Sequence, residues 1–193
     1  MCAQSHLVFS GSPLLKEIWF KAAMVPDWCF CNLESLVVEG CEFLSDVILP
    51  AHLLPFLRNL KSLEVRKCNS VEAIFVYTKT GPEGSLNLPS LEKLCVENCE
   101  NLVEIVAKDK TATGEAIEEI IMFPNTTFLK LWNLYNLSCI YPEKHILQCS
   151  VLTELHVVRC PKLNFFSTEF HSSHECQGNS LTNQQAVVSL EKV

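Results

Sequence analysis

One uneven spacing of apolar residues, with steps of three, two, three, three and three, recurs along this chain and limits what it can fold into. It runs through Leu33, Leu36, Val38, Cys41, Leu44 and Val47, and then through Leu60, Leu63, Val65, Cys68, Val71 and Ile74. Leu91, Leu94, Val96, Cys99, Leu102 and Ile105 repeat it, as do Leu152, Leu155, Val157, Cys160, Leu163 and Phe166. A further copy, Thr126, Leu129, Leu131, Leu134, Leu137 and Ile140, puts leucine in place of cysteine. A weaker first copy, Gln4, Leu7, Phe9, Ser12, Leu15 and Ile18, carries two polar replacements. Corresponding first positions are 29, 27, 31, 35 and 26 residues apart, so the unit is a supersecondary one and not a single helix or strand.

The consensus L-x-x-L-x-L/V-x-x-C-x-x-L has the form of a leucine-rich repeat with cysteine where asparagine often stands. Apolar residues two apart, such as Leu94 and Val96, lie on one face of a short strand, while Lys93, Cys95 and Glu97 point the other way. The three-residue steps then turn the chain away from the strand. One coil cannot bury its own apolar row, so neighbours stack and share it. The expected fold is therefore an α/β leucine-rich-repeat solenoid, with a curved parallel β-sheet on the concave side and loops and short helices on the convex side. Strands are expected within residues 34–40, 61–67, 92–98, 127–133 and 153–159, with a sixth at 6–10 and Leu36, Leu63, Leu94, Leu129 and Leu155 stacked inside.

Cys41, Cys68, Cys99 and Cys160 share one phase just after the strand, where the side chain points inward. Cysteine there reads as a small buried hydrophobe with a weak S–H donor for a nearby carbonyl. Equivalent positions on stacked strands lie about 4.8 Å apart, which some disulfides tolerate, but a straight row lacks the convergence of a zinc site. Packing is the preferred reading, with these four thiols reduced and buried and the outward Cys95 reacting sooner. Eleven cysteines, an odd number, without a secretory signal suit reduced thiols.

A net charge of −7 and a pI near 5.4 argue against nucleic-acid binding, which rests on clustered Lys and Arg. The sequence lacks an apolar run long enough to span a bilayer and a signal-peptide pattern, so the expected compartment is intracellular. The sequons at Asn125 and Asn136 then read as chance. Residues 77–90 and 107–124 read as excursions from the coils, and "ILPAHLLPFLRNL" (48–60) as a turn or two of helix restricted by Pro55. Residues 1–166 form the repeat domain in this reading, and 167–193 a polar, flexible tail leading toward a missing repeat. The first copy begins almost at Met1 and "AVVSLEKV" starts a coil it does not complete, so a longer repeat array is expected.

Several stretches resemble the C-terminal leucine-rich repeats of plant coiled-coil nucleotide-binding disease-resistance proteins. They are "LLKEIWF" (14–20), "CNLESLVVEGCEFLSDVILPAHLLPFLRNLKSLEVRKCNSVEAIF" (31–75), "LPSLEKLCVENCENLVEIV" (88–106), "FPNTTFLKLWNLYNLSCIYP" (123–142) and "LTELHVVRCPKLNFF" (152–166). The resemblance implies a segment of a cytoplasmic immune receptor that recognises a pathogen effector or a guarded host protein and restrains a nucleotide switch elsewhere in the receptor. The sequence contains neither a G-x-x-x-x-G-K-[ST] loop nor coiled-coil heptads, so no nucleotide cofactor is expected and recognition surface is what remains. The runner-up is a substrate-recruiting repeat domain of an F-box ubiquitin-ligase adaptor. A truncated, non-signalling repeat protein is the third reading.

His171, His174 and Cys176 have metal-like spacing but lack a fourth ligand, and no Cys/His cluster suits a hydrolase, so neither a metal site nor an enzyme is expected. The candidate site is instead the concave face: Arg66, Lys67, Lys93, Glu97, Phe128, Lys130, Trp132, His156 and Arg159, contacting a protein partner or another domain of the same receptor. Glu39, Arg66 and Glu97 alternate in sign across strands, which is a stabilising pattern in itself. Trp132 beside Phe128 and Lys130 has the composition of a binding hot spot, unless residues 107–124 fold over it.

Overall fold

The computed structural model describes residues 5–11, 30–77, 88–108, 120–122, 125–140, 145–148, 151–164, 168–170 and 187–191. Its strands in chain order are β1 (His6–Ser10), β2 (Ser35–Glu39), β3 (Val47–Leu49), β4 (Ser62–Arg66), β5 (Ala73–Tyr77), β6 (Lys93–Glu97) and β7 (Glu104–Lys108). There follow β8 (Ile120–Met122), β9 (Phe128–Trp132), β10 (His145–Gln148), β11 (Glu154–Val158), β12 (Thr168–Phe170) and β13 (Val187–Glu191). Seven of them make one parallel sheet in the order β1-β2-β4-β6-β9-β11-β13. Six are the strands expected from the repeat. The seventh lies in the "AVVSLEKV" stretch and pairs in register with β11, Leu155 opposite Val188 and Val157 opposite Leu190.

Register follows the apolar phase. Leu7, Leu36, Leu63, Leu94, Leu129 and Leu155 are successive Cα partners, and so are Phe9, Val38, Val65, Val96, Leu131 and Val157. A slip of one residue would turn both rows out to solvent, which is why the pattern specifies the register. Leu36, Leu63, Leu94, Leu129 and Leu155 are all buried, as are the post-strand leucines Leu44, Leu102, Leu134, Leu137 and Leu163. Each such side chain stabilises the fold by about 1.5–3 kcal/mol relative to exposure. Thr126 takes the leucine position that opens its coil; its hydroxyl is buried but donates to the Leu91 carbonyl at 2.8 Å, so no polar group is stranded.

The residue that follows each of β1, β2, β4, β6, β9 and β11 has positive φ: Gly11, Gly40, Lys67, Asn98, Asn133 and Arg159. That conformation lets the ladder run one step past the strand, with Gly40 N–H donating to Arg66 O, Lys67 N–H to Glu97 O, Asn98 N–H to Trp132 O and Asn133 N–H to Val158 O at 2.9–3.0 Å. It also swings the chain so that the next residue, the repeat cysteine after Gly40, Lys67, Asn98 and Arg159 and Leu134 after Asn133, points inward. Cys41, Cys68, Cys99 and Cys160 are buried, and each thiol donates to the carbonyl two residues back at 3.4–3.5 Å. Three reach a preceding coil as well: Cys41 to Phe9 O, Cys68 to Val38 O and Cys160 to Leu131 O. The described cysteines are free.

Away from the main sheet the structure differs from the expectation of loops and short helices. β3, β5 and β7 form a second parallel sheet, extended by a bridge between Glu104 and Cys139, and β8, β10 and β12 form a third. Ile48, Leu49, Phe75 and Val106 on the second sheet are fully buried, so β-branched and aromatic residues at short spacing made strand the better local solution. The helix expected over 48–60 is reduced to a single 3-10 turn, Leu54–Phe56, with Pro55 inside it; its leucines Leu53, Leu54, Leu57 and Leu60 are buried as that reading required. Of the two excursions, residues 78–87, 109–119 and 123–124 lie outside the described residues, while their flanks belong to β5, β7 and β8.

Candidate protein-recognition surface

The outer face of the main sheet is built from three columns of side chains in register. Their central members are Ser62, Lys93, Phe128 and Glu154 in the first column, Glu64, Cys95, Lys130 and His156 in the second, and Arg66, Glu97, Trp132 and Val158 in the third. All nine residues singled out from the sequence lie on or at the edge of this face. Lys67 and Arg159 stand just past the strands, at the positive-φ positions.

The structure divides these residues into two groups. The first is a charged network. Glu64 accepts from Lys93 Nζ at 2.7 Å and from Arg66; Glu97 holds Lys130 Nζ at 2.8 Å and stands 3.8 Å from Arg66 Nε; Glu39 holds Lys67 Nζ at 2.9 Å. The hydrogen bond from Lys93, and then its charge, hold the Glu64 carboxyl below the usual carboxylate range, and the same bond raises Lys93. The hydrogen bond from Lys67 likewise lowers Glu39. An isolated pair of this kind contributes about 0–1 kcal/mol, but Glu64 and Glu97 each bridge two cations on different strands and so tie the sheet together.

The second group is aromatic. The Phe128 and His156 rings lie 5.3 Å apart across β9 and β11, and Glu154 is 3.3 Å from His156 Nε2. Trp132 is half-buried, with Lys130 Nζ 4.9 Å from its ring centroid, and Lys93 Nζ is 5.8 Å from the centroid of Phe128. Each lysine thus joins the groups, with a carboxylate on one side and an aromatic face on the other. Arg66 is not gathered with Trp132; Glu97 stands between them in register, and Arg66 belongs to the charged network. Whether residues 109–119 cover Trp132 lies outside the described residues.

Cys95 corrects an expectation. It faces outward by phase, yet it is 4% exposed, because the paired Glu64, Lys93, Glu97 and Lys130 side chains around it close over the small thiol. Burial pushes its thiol up to about 11, as it does for Cys99. The hydrogen bond it shares with Cys41, and then burial, raises Cys68 too. Glu64, the hub of the network, was missed in the sequence; its diagonal position to Lys93 was available once strands 62–66 and 93–97 were set side by side. The positive-φ column was missed as well, although Gly11, Gly40, Asn98 and Asn133 at one phase are the residue types that adopt it most readily. Among the described residues no group of His, Cys, Asp and Glu is placed to hold a metal ion, and the "HSSHEC" segment lies outside them. No described helix is long and apolar enough to cross a membrane.

Stacked coils with one continuous parallel sheet and an inward cysteine after four of its strands define a leucine-rich-repeat solenoid, a scaffold class that in general mediates protein–protein interaction. The family model for plant disease resistance protein RPS2-like leucine-rich repeats matches residues 3–87 and 83–173, and the chain belongs to that family. It is a defence-related repeat module. It is also 26% identical over 168 residues to the probable disease resistance protein At5g47260 of Arabidopsis thaliana, a match that covers 83% of this chain and 16% of that protein. No solved structure matches the chain.

Proposed function

We propose that this chain is the protein-recognition module of a plant intracellular immune receptor acting in the cytoplasm. Its partner is a pathogen effector, a guarded host protein or another domain of the same receptor, and in the last case the contact restrains the receptor's nucleotide switch. The observation that carries this reading is the aromatic group on the sheet face: Phe128, Trp132 and His156 on adjacent strands, positioned by a hydrogen-bonded scaffold and flanked by lysines. Half-exposed aromatics beside cations on a pre-ordered surface have the make-up of an interaction hot spot, because they bury much area on binding at little entropic cost. No step of chemistry is assigned to the face; its role is complementarity.

The test is Trp132→Ala in the full receptor, scored for partner binding and for the defence output while folding is followed by circular dichroism. Binding should fall about tenfold or more, the loss typical of a hot-spot aromatic. Unchanged binding with unchanged folding would remove this face from the recognition surface.

A further inference from the structure

The charge along the described coils is unevenly distributed. The chain as a whole carries −7, and the coils described over residues 30–77 and 88–108 hold more acids than bases. The coils over 125–140 and 151–164 reverse this, with Lys130, Arg159 and Lys162 against Glu154 alone. Their cations are also in different states. Lys130 is taken by Glu97, and Lys162 Nζ donates to Asn136 Oδ1 at 2.6 Å. Arg159 is exposed and makes no ion pair among the described residues. It follows β11 directly, on the same rim as Asn133, the residue next to Trp132.

This has a consequence for what can dock. A partner laid over Glu64, Arg66, Glu97, Lys93 and Lys130 meets charges that are already neutralised, so a carboxylate placed there gains little and desolvates pairs that are already made. At the β9–β11 end, an apolar side chain finds Trp132, and a carboxylate finds a planar guanidinium with free donors, suited to a two-pronged contact.

Resting on the recognition reading above, we propose that the outer face of β9 and β11 binds an acidic–aromatic protein segment. In that complex a large apolar side chain of the partner packs on Trp132, and an adjacent Asp or Glu pairs with Arg159. The rest of the face, with its charges paired internally, acts as a positioning frame and contributes little to the choice of partner.

A phage-displayed random peptide library, selected on the 193-residue chain, tests the chemistry directly. Recovered peptides should place Asp or Glu next to an aromatic or large aliphatic residue. Synthetic versions should bind about tenfold more weakly to Trp132→Ala and to Arg159→Asn, and more weakly as salt rises from about 50 mM to about 500 mM. Asn is the neutral choice at 159 because it tolerates the left-handed backbone there and already occupies the equivalent positions 98 and 133. Replacing the peptide's acid by its amide should weaken binding to the native chain and leave binding to Arg159→Asn unchanged. Peptides that need Trp132 yet carry no acid, or bind Arg159→Asn as well as the native chain, would overturn the acidic chemistry and leave the recognition reading standing. Failure to recover any peptide that depends on Trp132 would overturn both. If Trp132→Ala lowers the unfolding midpoint, Arg159→Asn and the amide exchange still decide the acidic element.

Discussion

Leu63→Ala probes the shared interior more sharply than any other single change. Leu63 is 0% exposed and its Cα partners are Leu36 on β2 and Leu94 on β6. The substitution removes three carbons, about 2.4 kcal/mol of transfer free energy at about 0.8 kcal/mol per methylene. It also leaves a void, because the strands on both sides are fixed by their own ladders and cannot collapse into it. The cavity contribution brings the expected loss to about 3–4 kcal/mol, within the range for buried leucines and a large part of the 5–15 kcal/mol that holds a typical domain together. Urea unfolding followed by far-ultraviolet circular dichroism measures it, with Val8→Ala as the control, since Val8 is 53% exposed on the same sheet and should cost only a few tenths of a kcal/mol. A coil in the middle of a solenoid supports both neighbours, so the transition should also broaden. A loss below about 1 kcal/mol, or one equal to that of Val8→Ala, would refute the inward leucine row.

Two further predictions concern titrating groups. In native protein an alkylating reagent should modify the exposed Cys31 while Cys41, Cys68, Cys95, Cys99 and Cys160 react only after denaturation; mass spectrometry that finds Cys95 labelled as fast as Cys31 would contradict the closed network above it. The lowered Glu64 contributes stability above the unfolded carboxyl value of about 4.3, lost as pH falls through its lower folded value, whereas the raised Lys93 contributes below about 10.4 and loses its contribution as pH rises through its higher folded value. Glu64→Gln should therefore cost about 1 kcal/mol at neutral pH and shrink the drop in stability on the acid side; identical stability curves for the two proteins between about pH 3 and pH 7 would show that the network is inert.

The repeat unit, the strand positions, the inward leucine row and the buried cysteine phase were all legible in the sequence. Each is set by local apolar phase, and six copies of one phase leave a single way to bury it. The aromatic group could be read as well, since Phe128 and Trp132 share one strand's outward parity. The fate of the charges was legible only in part: the alternating signs of Glu39, Arg66 and Glu97 marked cross-strand partners, but not which cation each acid holds. Arg66 looked like a member of the tryptophan patch, and only the register across β4, β6 and β9 set Glu97 between them and made Glu64 the hub for Lys93 and Arg66. Cys95 shows the same limit: parity sends it outward, but exposure depends on the neighbouring strands, whose ion-paired chains close above it. The second and third sheets arose likewise, from short segments that become strands only because the main sheet stacks them beside one another. Periodicity along one chain determines which way each side chain of this solenoid points, and the lateral pairing of coils about thirty residues apart decides which of those side chains are already satisfied and which remain free to meet a partner.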